Sequence, residues 1–231
     1  MIIKEAIILA GGLGTRLRSA VPDLPKCMAP INGKPFIAFV IDHLQKQGIE
    51  KFILSLGYKS EAIIEFIIKE YSYKNFQFVI EDEPLGTGGA IKLACSKTTT
   101  ENVIATNGDT LFKVKLDKLF SLHQQQNAEC TLSLKPMLNF ERYGVVELKE
   151  NNSILSFKEK QFYEQGLING GLYALNVQSF LQKDFSEKFS FEKDYLEKYF
   201  TEGKMFGSVQ DEYFIDIGIP EDYNRAQIEL Q

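Results

Sequence analysis

The segment that most constrains this chain lies at its start. Glu5–Ala10 (EAIILA) is a short, continuous apolar run, and glycines follow it at once in Ala10-Gly11-Gly12-Leu13-Gly14. An amphipathic surface strand would alternate polar and apolar residues. A run apolar at every position after its opening Glu5 predicts a parallel strand covered on both faces. The glycines predict a tight turn at its carboxyl end, where the ligands of open α/β sheets bind.

The pattern repeats. Pro35–Gln47 has helical periodicity with Pro at its start and Gly48 just beyond it. Strands are expected at Lys51–Leu56, Phe76–Glu81 and Asn102–Thr106, and helices at Glu61–Tyr71 (capped by Ser60), Gly88–Ser96 and Leu116–Gln126. Alternation of this kind predicts an α/β domain with a mostly parallel central sheet flanked by helices. The second half is less regular. Strands are expected at Glu129–Lys135, Gly144–Lys149, Ile154–Lys158 and Leu167–Leu175, with a hairpin turn at Asn151-Asn152. Helices follow at Val177–Lys183 and Phe191–Glu202, then strands at Met205–Val209 and Tyr213–Ile217 and a helix from Pro220. No repeat or flexible linker divides the 231 residues, so one domain is expected, with an antiparallel excursion in its second half.

Composition narrows the function. Apolar residues are 44% and charged residues 25%, as in a soluble globular protein, and the net charge of -5 attracts neither nucleic acid nor an anionic membrane. No apolar run approaches the ~20 residues that span a bilayer, and Lys4 and Glu5 interrupt the N-terminal run. A cytoplasmic location is therefore expected. Cys27, Cys95 and Cys130 are widely spaced, and with two histidines they offer no zinc constellation.

The glycine loop excludes two phosphate-binding motifs. The dinucleotide fingerprint needs glycine where Leu17 stands, and the loop lacks the Lys-Ser or Lys-Thr of a P-loop. It does carry Arg16, and Pro25-Lys26 follows ten residues later. Two cations beside backbone N–H groups suit a triphosphate.

Gly-Gly-Leu-Gly-Thr-Arg-Leu followed at this spacing by Pro-Lys resembles the signature of the sugar-1-phosphate nucleotidyltransferases. That family usually carries Pro and Thr where Ser19 and Val21 stand here. Further matching segments cover nearly the whole chain. The resemblance implies a single Rossmann-like domain, with a nucleotide-binding half over about residues 1–110 and a sugar-phosphate-binding half over about 111–231. It implies catalytic roles for Arg16 and Lys26. Nucleotide binding falls to Leu9, Ala10, Gly11, Gly12, Gly14, Thr15, Gly86, Thr87 and Gly108, with Glu81 and Glu83 reading the base. The Glu83-Pro84-Leu85-Gly86-Thr87-Gly88-Gly89 turn resembles the guanylyltransferase members, and Thr87 is also expected to cap the helix after it. Asp109 and Asp216 would hold Mg²⁺. Gly144, Glu159, Lys160, Asn169 and Gly170 would bind the sugar phosphate.

The implied reaction is in-line displacement at the α-phosphorus of a nucleoside triphosphate by a sugar 1-phosphate, releasing pyrophosphate. The chain looks like the heptose 1-phosphate guanylyltransferases, so GTP with D-glycero-D-manno-heptose 1-phosphate is the first expectation. Mannose 1-phosphate with GTP is the second, and uridylyl or thymidylyl transfer the third. A glycosyltransferase would show Asp-x-Asp where Asn107-Gly108-Asp109 stands, and a non-catalytic sensor would have lost one of the charged residues. A homodimer or a monomer is expected rather than a large assembly.

Overall fold

The computed structural model describes residues 3–12, 17 and 21–230. In chain order the strands are β1 (Glu5–Leu9), β2 (Pro30–Ile31), β3 (Lys34–Pro35), β4 (Lys51–Leu56), β5 (Phe76–Ile80), β6 (Asn102–Asn107) and β7 (Thr110–Phe112), then β8 (Cys130–Phe140), β9 (Val145–Leu148), β10 (Ile154–Lys158), β11 (Tyr163–Asn176), β12 (Met205–Val209) and β13 (Phe214–Asp216). The α-helices are α1 (Phe36–Lys46), α2 (Ser60–Glu70), α3 (Gly86–Cys95), α4 (Leu116–Gln125), α5 (Val177–Leu181), α6 (Glu197–Tyr199) and α7 (Pro220–Glu229).

The main sheet runs β10-β9-β11-β6-β1-β4-β5, with β8 paired to β11 and to β12. Strands β6, β1, β4 and β5 are mutually parallel, and β11 joins β6 antiparallel. The apolar character of β1 follows from its central place. Ile8 packs into a core with α1, α2, α4 and α7, while Ile7 packs into a second core with α3 and the Phe191–Leu196 segment. Both residues are fully buried, so the middle of the strand is apolar on both faces, while Glu5 at its start is buried against Lys51 and Thr99.

The expected elements are present, with instructive differences. Ser60 does not cap α2: the cap position is Lys59 in the left-handed conformation, and Ser60 is the first helical residue. Strand β8 continues to Phe140 instead of ending at Lys135, because β11 supplies a partner as far as Tyr163. The single helix expected at Phe191–Glu202 is a π-turn (Phe191–Leu196), a short α-turn and a 3₁₀ turn (Phe200–Glu202). Ser190 caps this segment by accepting a hydrogen bond from the Lys193 backbone. Strands β2, β3 and β7 were beyond sequence reading, since two or three residues carry no period.

Two features position the site. Strand β11 shifts register between Asn169 and Tyr173, where Gly171 takes φ +70°, so the Asn169-Gly170-Gly171 segment bulges as the strand leaves β9 to reach β6. Strand β13 pairs with β7 in a separate two-stranded ribbon that sets Asp216 opposite Thr110.

Candidate active site

Strands β1 and β6 are neighbours at the sheet's topological switch point, with Leu9 opposite Asn107. Their carboxyl ends are the place where open α/β sheets bind ligands. The Gly108 N–H donates to the Leu9 carbonyl (2.8 Å), and a Cβ at Gly108 would lie 2.9 Å from that oxygen. Only glycine permits this approach, and Asp109 follows it in the turn between β6 and β7. On the other flank Ala10 donates to the Ser55 carbonyl (2.8 Å). A Cβ on Gly11 would fall 3.2 Å from the Gly57 nitrogen, whereas Gly12 faces open space. Gly14, Thr15 and Arg16 lie outside the described residues.

Three charged side chains from distant parts of the chain meet here. Lys26 opens a 3₁₀ turn after Pro25, and its Nζ is 2.5 Å from Asp109 Oδ2 and 3.4 Å from Asp216 Oδ1. Asp216 also accepts a hydrogen bond from the Gly218 N–H (2.8 Å). Burial raises the Asp216 pKa, and nearby Asp109 raises it further against the pull of Lys26, Gly218 and Arg142. A carboxylate so placed gains from a cation. Cys27, beneath Gly108, is pushed up to about 12 by burial, with Asp109 adding repulsion, so its thiol stays protonated and is no nucleophile.

The donor set fits a hard divalent cation. Both carboxylates converge on a positive charge already, and oxygen ligands suit such an ion. Among the described residues no group of three or more His, Cys, Asp or Glu is gathered to hold a metal. The protein therefore offers two carboxylates, and phosphate and water would complete the shell.

A cleft of about 490 Å³ adjoins this cluster. It brings together Gly144, Glu159, Lys160, Asn169, Gly170 and Asp216, all singled out from sequence. Asn169 is held from both ends: its Nδ2 donates to the Tyr173 hydroxyl (2.9 Å) and its Oδ1 accepts from the Gly171 N–H (3.0 Å). Gly170 lies against Phe112, whose ring would be 2.3 Å from an added Cβ, and a Cβ on Gly144 would fall 2.4 Å from the Lys158 carbonyl oxygen. Glu159 and Lys160 are exposed. Sequence reasoning assigned no role to Asn107, Glu192 or Lys193, which also line the cleft. The two charged residues look like an ordinary solvated helix face in sequence, and their placement depends on the π-turn.

The Glu81–Thr87 turn differs in detail from expectation. Thr87 does not cap α3. The cap position is Leu85, with no side-chain cap, and the Thr87 hydroxyl accepts from the Phe191 N–H (2.9 Å) and donates to Glu192 (2.8 Å). The Glu81 carboxylate accepts from the Leu85 N–H (2.9 Å), while Glu83 is exposed. Gly86 has φ +73°, and Cβ atoms on Gly86 or Gly88 would collide with Phe189 at 2.5 and 2.2 Å. These glycines thus seat α3 on the Phe189 segment.

Fold and site together define an α/β nucleotide-transferring enzyme. The model of the nucleotidyl transferase family matches residues 5–231, and the chain belongs to that family. It is 54% identical over 227 residues to the D-glycero-alpha-D-manno-heptose 1-phosphate guanylyltransferase of Aneurinibacillus thermoaerophilus, covering 98% of each chain. It is 47% identical to the Campylobacter jejuni protein of the same name, covering 95% of this chain and 96% of that one. Its structure is similar to the crystal structure of HddC from Yersinia pseudotuberculosis complexed with GMP-PN. The TM-score is 0.89 and the identity 39%, with 99% of this chain and 100% of that chain covered. No helix among the described residues is long and apolar enough to cross a membrane.

Proposed function

We propose that the protein transfers GMP from GTP to D-glycero-α-D-manno-heptose 1-phosphate, giving a GDP-heptose and pyrophosphate, with Mg²⁺ as the cation. The observation that carries this reading is the meeting of Lys26, Asp109 and Asp216 at the sheet's switch point beside a cleft lined by Glu159, Lys160 and Asn169. The relatives' names support the sugar, its anomer and the guanylyl group. The half up to about residue 110 takes the nucleotide, and the rest takes the sugar phosphate.

A sugar phosphate oxygen attacks the α-phosphorus, and the bond from that phosphorus to the oxygen bridging the β-phosphorus breaks. The attacking oxygen is already anionic near neutral pH, so positioning and charge stabilisation carry the rate and no strong base is needed. Asp109 and Asp216 would hold the Mg²⁺, which when bound polarises the α-phosphate. Lys26 exchanges its carboxylate partners for phosphate oxygens. Lys160 fixes the attacking phosphate, and Glu159 and Asn169 orient the sugar hydroxyls. The role assigned to Arg16 is to stabilise the charge that builds on the departing pyrophosphate. Nucleotide binding is assigned to Leu9, Ala10, Gly11, Gly12, Gly14, Thr15 and Gly108, and base recognition to the Glu81–Thr87 turn.

The test is pyrophosphate release with Mg²⁺, pairing GTP, ATP, CTP, UTP and dTTP with heptose, mannose and glucose 1-phosphates. Release with GTP and the heptose phosphate is expected. Release only with mannose 1-phosphate would change the substrate, and no release with any pair would overturn the reaction.

A further inference from the structure

The wall of the sugar cleft contains a carboxylate that the reaction as derived above does not use. Glu192 lies in the π-turn and lines the cleft alongside Asn169 and Tyr173. Its Oε2 accepts hydrogen bonds from the Thr87 hydroxyl (2.8 Å) and the Ser190 hydroxyl (3.1 Å). Among the described residues nothing donates to Oε1. Its charge is felt by the Tyr173 hydroxyl, which itself accepts from Asn169. Thr87 belongs to the turn assigned to the nucleotide base, so its hydrogen bond to Glu192 joins that turn to the sugar wall.

We propose that Glu192 is a specificity residue for the sugar: its free oxygen accepts a hydroxyl of the sugar 1-phosphate, while Thr87 and Ser190 hold the carboxylate at the angle this requires. The inference rests on the assignment of this cleft to the sugar. A purely structural carboxylate, serving only to join α3 to the π-turn, would need just the oxygen that Thr87 and Ser190 already engage. A charged acceptor left half-buried in a polar cleft is the group that discriminates between polyols, because a ligand lacking the matching hydroxyl leaves it unpaired. The register supports the same reading. Ser190 caps the π-turn through Lys193, so the residue two places after the cap is directed back over Thr87 rather than outward.

Glu192→Gln separates the two roles. The glutamine carbonyl can still accept from Thr87 and Ser190, but an NH₂ donor then replaces the acceptor facing the cleft. In steady-state kinetics, E192Q raises KM for the sugar 1-phosphate about tenfold or more, the worth of a hydrogen bond to a charged group. KM for GTP and kcat at saturation change less than about threefold on the same grounds. An unchanged sugar KM overturns the inference, and so does an equal rise in both KM values. Should E192Q not fold, E192D decides. It withdraws the carboxylate by one methylene and raises the sugar KM selectively, and an unchanged sugar KM there overturns the proposal too. Wild-type protein on the same substrates keeps the two ideas apart. If it turns over no sugar phosphate, the assignment of the reaction fails. If it does and the variant matches it, only the role of Glu192 fails.

Discussion

His123 gives the chain a pH-dependent stability that can be worked out from its surroundings. It lies on α4 and is 3% exposed, with Nδ1 2.9 Å from the Thr131 hydroxyl and Nε2 3.0 Å from Asn102 Oδ1. Asn102 Oδ1 can only accept, so the imidazole proton sits on Nε2 and Nδ1 accepts from Thr131, a pattern complete in the neutral form. Burial lowers the pKa from 6.5 to about 4. The unfolded chain therefore takes up this proton first. The stabilisation is present above the unfolded value, is lost as pH falls toward the folded value, and changes no further below it. At about 1.36 kcal/mol per pKa unit the whole loss is about 3 kcal/mol. Between pH 7 and pH 5 it is about 2 kcal/mol. Urea unfolding at both pH values measures it, with H123Q as reference because glutamine cannot ionise and all other groups cancel in the comparison. H123Q should lose about 2 kcal/mol less than the wild type over this interval. Equal losses in the two proteins would refute the reasoning.

Removing Lys26 has two opposed effects. K26M should cut turnover by at least about a hundredfold, through lost stabilisation of phosphate charge. It should also bind Mn²⁺ more tightly than wild type without nucleotide, read by electron paramagnetic resonance, because both carboxylates lose their ammonium; equal or weaker binding contradicts the geometry. G88A places a methyl 2.2 Å from the Phe189 ring and should cost about 1–3 kcal/mol in a denaturation experiment, while an unchanged midpoint would show that the Phe189 segment can yield. Tyr195 is fully buried, and its hydroxyl has no hydrogen-bond partner among the described residues. Y195F should therefore be neutral or stabilising by up to about 1 kcal/mol in the same assay, and a loss of more than about 1 kcal/mol would reveal a partner for that hydroxyl.

Much of the fold was legible locally. The apolar run at β1 announced a doubly covered strand, and helical periodicity marked α1 and α2, because burial on one or two faces imposes its period directly on the sequence. The glycine loop, Lys26, Asp109 and Asp216 stood out as residue types suited to phosphate and cation, while the Asn169-Gly170-Gly171 segment was singled out through the family resemblance. What the one-dimensional pattern could not show was their meeting. Lys26 is 83 residues from Asp109 and 190 from Asp216, and the pairing of β13 with β7 that brings the second carboxylate in is only three residues long. The purpose of several glycines was likewise hidden, because the sequence records that a Cβ is missing and not what would have occupied its place. The atoms that Gly88 spares belong to Phe189, far along the chain. Glu192 shows the limit most clearly. Its residue type and the turn around it were in the sequence, but whether a charged side chain faces water or a cleft depends on the packing of elements remote in the chain, and that only the tertiary structure decided.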